Sequence, residues 1–233
     1  MEQHTPEFRI GDLVLYKNNQ LVAFNKPAGI PVQDDKTDDK SLLALASIYT
    51  QSKLQVIHRL DRPASGVVLF SKTPNALVAL NEQFRSRKVQ KTYLAVVHEM
   101  PPEPSGELKH FVGKKTAANR SSASESEDPE LKEALLTYRL LGSSDNYHLL
   151  EVNLITGRHH QVRAQLAAIG CPIKGDVKYG ARRGNRDRSI HLHAWKLAFS
   201  HPVSGEKVEL VAPPPAGDPI WAAFAPLLVQ NPA

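Results

Sequence analysis

Two stretches of this 233-residue chain hold residue types that could act together on a substrate. The first, His58-Arg59-Leu60-Asp61-Arg62-Pro63-Ala64-Ser65-Gly66, sets one carboxylate between two arginines, just ahead of the apolar run Val67-Val68-Leu69-Phe70. Pro63 fixes its own φ and Gly66 permits a backbone conformation closed to other residues, so Asp61 reads as held rigidly at the mouth of a strand. Both arginines are placed to pair with it. Such a carboxylate is either a structural ion pair or a group poised for chemistry on a polyanion.

The second stretch is Thr156-Gly157-Arg158-His159-His160-Gln161-Val162-Arg163. It runs into a helix with Val162, Leu166 and Ile169 as its buried stripe, ended by Gly170 and Pro172 in the expected order. His160 and Arg163 lie three apart and share a face, so an imidazole and a guanidinium can point from a packed helix into a cleft. His159 and His160, joined by His191 and His193, also admit a metal reading. Adjacent histidines rarely share the geometry of a closed site, and no cysteine pair supports zinc, so no metal and no cofactor are expected.

Both stretches resemble signature motifs of the RluA-type RNA pseudouridine synthases. The first is similar to the motif that carries that family's catalytic aspartate, with Ala64 standing where a Thr is often found. The second is similar to Thr-Gly-Arg-x-His-Gln-(Ile/Val)-Arg. Three further runs fit the same family: Lys26-Pro27-Ala28-Gly29, Lys91-Thr92-Tyr93-Leu94-Ala95, and Gly170-Cys171-Pro172-Ile173-Lys174-Gly175-Asp176 with Tyr179-Gly180. The resemblance covers Lys26 to about Pro214. It implies a pseudouridine-synthase fold, an α+β architecture with a bent, mostly antiparallel mixed sheet, flanking helices and a central cleft. It implies Asp61 as the catalytic carboxylate, Arg163 as its partner and Tyr93 as the ring that stacks on the target base. Arg59 would fill the RNA stack when a uridine flips out, with Arg62, Arg158 and His160 as further RNA contacts. Neither metal nor redox cofactor is required. The small S4 domain that often precedes the catalytic domain has no counterpart in the residues before the first strand. RNA recognition is therefore expected from the catalytic domain or from a partner.

Stepping from chemistry to the elements that must hold it, Leu13–Tyr16 and Leu21–Phe24 read as a hairpin about Asn18-Asn19. Asp34, Asp35, Asp38 and Asp39 read as solvated loop residues, with Asp38 or Asp39 capping a helix from Ser41 to Tyr49. Thr73-Pro74 signals a second helix start. That helix should run to about Arg87, its basic end (Arg85, Arg87, Lys88 and Lys91) complementing the dipole. Composition shifts over residues 114–133, and within them residues 121–129 have no apolar period and read as a mobile loop. Residues 134–141 and 147–155 alternate as paired strands. Asp176 and its neighbouring glycines read as turn chemistry. Arg182, Arg183, Arg186 and Arg188 form a basic loop, either a solvated surface loop or, the reading favoured beside an RNA cleft, a phosphate-gripping arm.

The divisions expected are an N-terminal tail at 1–12, a catalytic domain at 13–215 and a C-terminal extension at 216–233. Lys plus Arg number 29 against 24 Asp plus Glu, a net charge of +5 that leans towards an anionic partner. The single Cys171 excludes an intrachain disulfide and fits a reducing compartment. With no secretory signal and no run near the ~20 apolar residues of a spanning helix, a cytoplasmic protein without membrane contact is expected, monomeric rather than assembled. Ribosomal or transfer RNA is the expected partner. Two rivals are weighed: an RNA-binding protein that keeps the fold without catalysis, and a nucleoside or glycoside hydrolase. The intact Asp61, Tyr93 and Arg163 argue against the first. The second needs a facing acid, and none sits in a comparably marked motif.

Overall fold

The apolar run after Asp61 becomes a strand buried on both faces, which explains why it is continuous rather than alternating. In the computed structural model, which describes residues 8–37, 39–115 and 120–229, this strand is β4 (Ser65–Ser71). Val67 and Leu69 pack with Leu80 of a helix on one side, while Val68 and Phe70 pack with Leu42 and Ala46 of a helix on the other. Each such fully buried side chain contributes roughly 1.5–3 kcal/mol.

Before it come β1 (Val14–Lys17), β2 (Leu21–Lys26) and β3 (Gln55–Val56). After it come β5 (Gln90–Val97), β6 (Ser105–Lys115), β7 (Arg120–Ser124), β8 (Lys132–Ser143) and β9 (His148–Leu154). Last are β10 (Leu192–Ser200) and β11 (Lys207–Val211). The described residues form one mixed sheet in the order β1-β2-β4-β10-β5-β9-β8-β6-β7, with β3 beside β4 and β11 beside β10. Only the β4–β10 pairing is parallel. It demands Gly66, at φ 114, because a Cβ there would lie 2.3 Å from the Ala194 carbonyl oxygen. Ser65 beside it meets His193 Nδ1 at 2.8 Å, and His193 Nε2 meets the Ala212 carbonyl at 2.9 Å. Burial lowers the His193 pKa to about 4, so it stays neutral and serves this strand junction, not a metal.

Among the described residues four α-helices flank the sheet: α1 (Leu42–Thr50), α2 (Pro74–Arg85), α3 (Gln161–Ala168) and α4 (Pro219–Val229). The α1 cap is Ser41, whose hydroxyl accepts from Ala44 N–H at 3.2 Å and donates to Asp34 at 2.6 Å. Asp39 is not the cap, because it is drawn instead to Arg62; Asp38 lies outside the described residues. Thr73 caps α2 as expected. Trp221 and Phe224 of α4 pack on Leu94, Val96 and Leu149.

The stretch expected to be a mobile loop is in part a strand. Residues 120–124 pair with the long β6, Gly113 opposite Ser122 and Phe111 opposite Ser124. Composition alone misses this because β6 supplies the edge and small serines fit beneath α3; Ser121 is buried. The β8–β9 pairing is as expected, with Tyr138 opposite Val152. No helix among the described residues is long and apolar enough to cross a membrane.

Candidate active site

The segment bearing Asp61 connects β3 to β4 and is fastened by its own backbone. Gly29 N–H donates to the Arg62 carbonyl at 2.8 Å, Ile190 N–H to the Pro63 carbonyl at 3.0 Å, and Ala64 N–H to the Asp61 carbonyl at 3.1 Å. His58 Nε2 accepts from Leu69 N–H at 3.1 Å while its ring stacks on Phe84. Burial, and then the charge of Lys91, lower its pKa to about 4, so it is a neutral anchor. Lys26, fully buried, donates to the carbonyls of Pro27, Ile30 and Arg62 at 2.9, 3.0 and 3.2 Å. Burial brings its pKa down to about 7, against the pull of Asp61. The Lys-Pro-x-Gly run is thus a buried tie beneath the Asp61 loop, more than a turn.

Asp61 does not pair with the arginines beside it in sequence. Its partner is Arg163 of α3, whose Nη1 donates to Asp61 Oδ2 at 2.9 Å. The far side of the same guanidinium grips Asp176, Nε to Oδ2 at 2.6 Å and Nη2 to Oδ1 at 2.8 Å. Burial opposes the charge on Arg163. The hydrogen bonds and charges of Asp176 and Asp61 outweigh that and hold its pKa well above the usual range. A bidentate pair of this kind fixes the guanidinium plane, and the plane fixes Asp61.

His160 precedes α3 in a left-handed conformation, φ 53 and ψ 27, so it is not on the helix face with Arg163. It nevertheless reaches the same carboxylate oxygen, with Nε2 at 3.7 Å from Asp61 Oδ2. Its Nδ1 lies 2.9 Å from the Tyr179 hydroxyl, which accepts from Ser121 N–H at 2.8 Å. The Arg163 guanidinium lies 4.9 Å from the Tyr179 ring centroid. Among the described residues, both side-chain contacts to Asp61 fall on Oδ2.

Asp61 lies in a cleft of about 740 Å³ that Arg59, Arg62, Lys91, Tyr93, Arg158, His160 and Arg163 also line. Burial, and then the Asp61 charge, push the Tyr93 pKa upward, so its hydroxyl keeps its proton. Arg59 is exposed and makes no ion pair among the described residues. Arg62 is already engaged: it pairs with Asp39, lies 3.7 Å from Asp35, and donates to the Gly29 carbonyl at 2.8 Å. This clamp accounts for Asp35 and Asp39 beside the motif, and it corrects the expectation that Arg62 pairs with Asp61. Arg182 and Arg183 do not line the cleft; Arg182 lies 3.6 Å from Glu99. His191 meets Asp218 at 3.2 Å, so the four histidines do not share one centre.

Three participants stand outside the site residues expected from the sequence. Asp176, read as turn chemistry, is buried and orients Arg163. Tyr179 was noted only as part of a run, with nothing in its spacing to show that it meets His160. Gln161 closes the Thr-Gly-Arg loop: its Oε1 accepts from Thr156 Oγ1 at 2.8 Å and from Arg158 N–H at 2.9 Å. The buried, doubly bonded Asp176 also cannot serve as the facing acid of a hydrolase.

A sequence model of the family described as RNA pseudouridylate synthase matches residues 20–168, which contain Asp61, Tyr93 and Arg163. The chain belongs to the RNA pseudouridine synthase family. It is 34% identical over 209 residues to ribosomal large subunit pseudouridine synthase C of Rickettsia bellii, covering 88% of this chain and 69% of that protein. It is 32% identical over 220 residues to tRNA pseudouridine synthase C of Haemophilus ducreyi, covering 85% of this chain and 89% of that one. Among solved structures, human RNA pseudouridylate synthase domain containing 4 superposes with a TM-score of 0.73 at 26% identity, over 89% of this chain and 90% of that chain. This pseudouridine synthase therefore has the α+β fold expected of its family, and it is an isomerase acting on RNA.

Proposed function

We propose that this chain converts a uridine in ribosomal or transfer RNA to pseudouridine, with Asp61 as the catalytic carboxylate. One observation carries the assignment: Asp61 is held at Oδ2 by Arg163, with no side-chain contact to Oδ1 among the described residues, in the cleft that Tyr93 also lines. The reaction breaks the C1′–N1 bond, joins C1′ to C5, releases the C5 proton and adds a proton at N1. The target must first leave its stack, which costs on the order of a few kcal/mol. Asp61 then faces the nucleotide, Arg163 holds and orients its carboxylate, and Tyr93 offers a ring for the base. The relatives' names point to ribosomal and transfer RNA, and with them to the cytoplasm. Chromatographic separation of nucleosides from these RNAs, with and without the gene, tests the reading. Loss of pseudouridine at one or a few positions is expected; unchanged RNA would contradict it.

Tyr93→Phe keeps the ring and removes the hydroxyl. RNA affinity should hold while kcat falls about tenfold, the order of one hydrogen bond to a charged group. An unchanged kcat would limit Tyr93 to stacking.

Arg59 is free to enter the RNA, and a planar cation can stack where a base has left. Arg59→Ala should slow a structured stem-loop at least tenfold more than an unstructured strand with the same uridine, since extrusion is cheapest from single strands. Single-turnover rates at saturating enzyme measure this. Equal slowing of both RNAs would remove Arg59 from flipping.

A further inference from the structure

We infer that Lys91, with Arg158, forms a subsite for the RNA phosphodiester next to the target uridine. The inference rests on the function proposed above and extends it to a residue that the sequence placed with a helix's basic end. Lys91 instead lies on β5, two residues from Tyr93, so both side chains leave the same face of the strand and both line the cleft. One strand repeat separates the ring for the base from the ammonium, a span comparable to one nucleotide of backbone.

The electrostatics call for an anion. Lys91 Nζ donates to the Thr156 carbonyl at 3.3 Å, which leaves two of its three donors. Arg158 is fixed by Nε donating to the Glu133 carbonyl at 2.9 Å, and its planar fork can receive phosphate oxygens. Arg87, in a left-handed conformation at φ 60, lies beyond the end of α2. Among the described residues no carboxylate pairs with any of the three. Burial, then Arg87, then Arg158, lower the Lys91 pKa to about 8, and an arriving anion would reverse that push. The ammonium lies beside the Thr-Gly-Arg loop, since a Cβ at Gly157 would come within 3.6 Å of Lys91 Nζ.

The test uses a stem-loop from ribosomal or transfer RNA that the wild-type protein converts, with a neutral methylphosphonate replacing the phosphate on the 5′ or the 3′ side of the target. For the wild type, one of the two replacements should weaken binding about tenfold, the order of a charge-assisted contact. Lys91→Met should bind unmodified RNA about as poorly, lose no more than about twofold on that same replacement, and show a salt slope reduced by about one. Lys91→Gln keeps a donor for the Thr156 carbonyl and should behave likewise. Arg158→Met, read through the same comparison, carries the test if both Lys91 variants fail to fold. A wild type indifferent to both replacements overturns the subsite, as does a Lys91→Met protein that loses as much as the wild type. Conversion of the stem-loop is scored separately, so a protein that converts no RNA overturns the proposed function instead.

Discussion

Asp61→Asn is expected to give a protein that folds and binds RNA like the wild type but turns over at least about 10³-fold more slowly, the range lost with a positioned acid or base. The amide keeps the shape of the carboxylate and can still accept a hydrogen bond from Arg163. It removes the charge and the basicity of the carboxylate, whose contacts with Arg163 and His160 fall on Oδ2. Thermal melting and RNA affinity should therefore change little beside the loss of rate. Single-turnover conversion of a substrate RNA, with binding measured in parallel, separates these effects. Residual turnover within tenfold of the wild type would sink the assignment.

Arg163→Lys is expected to lower kcat roughly 10²-fold, comparable to a misplacement of about 1 Å at a reacting group. An ammonium cannot reproduce the fork that holds Asp176 on one side and Asp61 on the other. Because Arg163 and Asp176 are both buried, the variant should also melt at lower temperature, as a broken buried pair leaves charge uncompensated. RNA affinity should fall far less than kcat. Equal losses in both would make Arg163 a phosphate contact rather than the residue that orients Asp61.

The parts of this site that could be read from the chain are those that act through a short local motif. Asp61 before a Pro, Ser and Gly, and Arg163 after Gly-Arg-x-His-Gln, carry their surroundings with them. Their partner relationship followed from resemblance and not from spacing, since the nearest cations in sequence, Arg59 and Arg62, were equally plausible partners for Asp61. Arg62 turns to Asp39 and Gly29 because the fold brings both against it, a long-range fact that no local pattern encodes. Asp176 was illegible for a related reason. An aspartate among glycines is ordinary turn chemistry, and only the folded chain shows its carboxylate buried against a guanidinium. Lys91 was lost to a boundary: α2 stops at Arg85 and β5 starts at Gln90, and that shift moves a cation from a helix end to the cleft wall. The strands about β4 were legible because burial on both faces leaves a continuous apolar run. The serines of β7 were not, because their strand depends on the edge that β6 supplies.

Release of tritium from RNA labelled at uracil C5 tests the central claim most directly, because joining C1′ to C5 must expel the hydrogen held there. Purified protein incubated with C5-tritiated RNA is expected to release label to water in proportion to pseudouridine formed, with no free uracil, and Asp61→Asn should release none above background. Free uracil in place of pseudouridine, or binding with no release from any ribosomal or transfer RNA, would contradict the account.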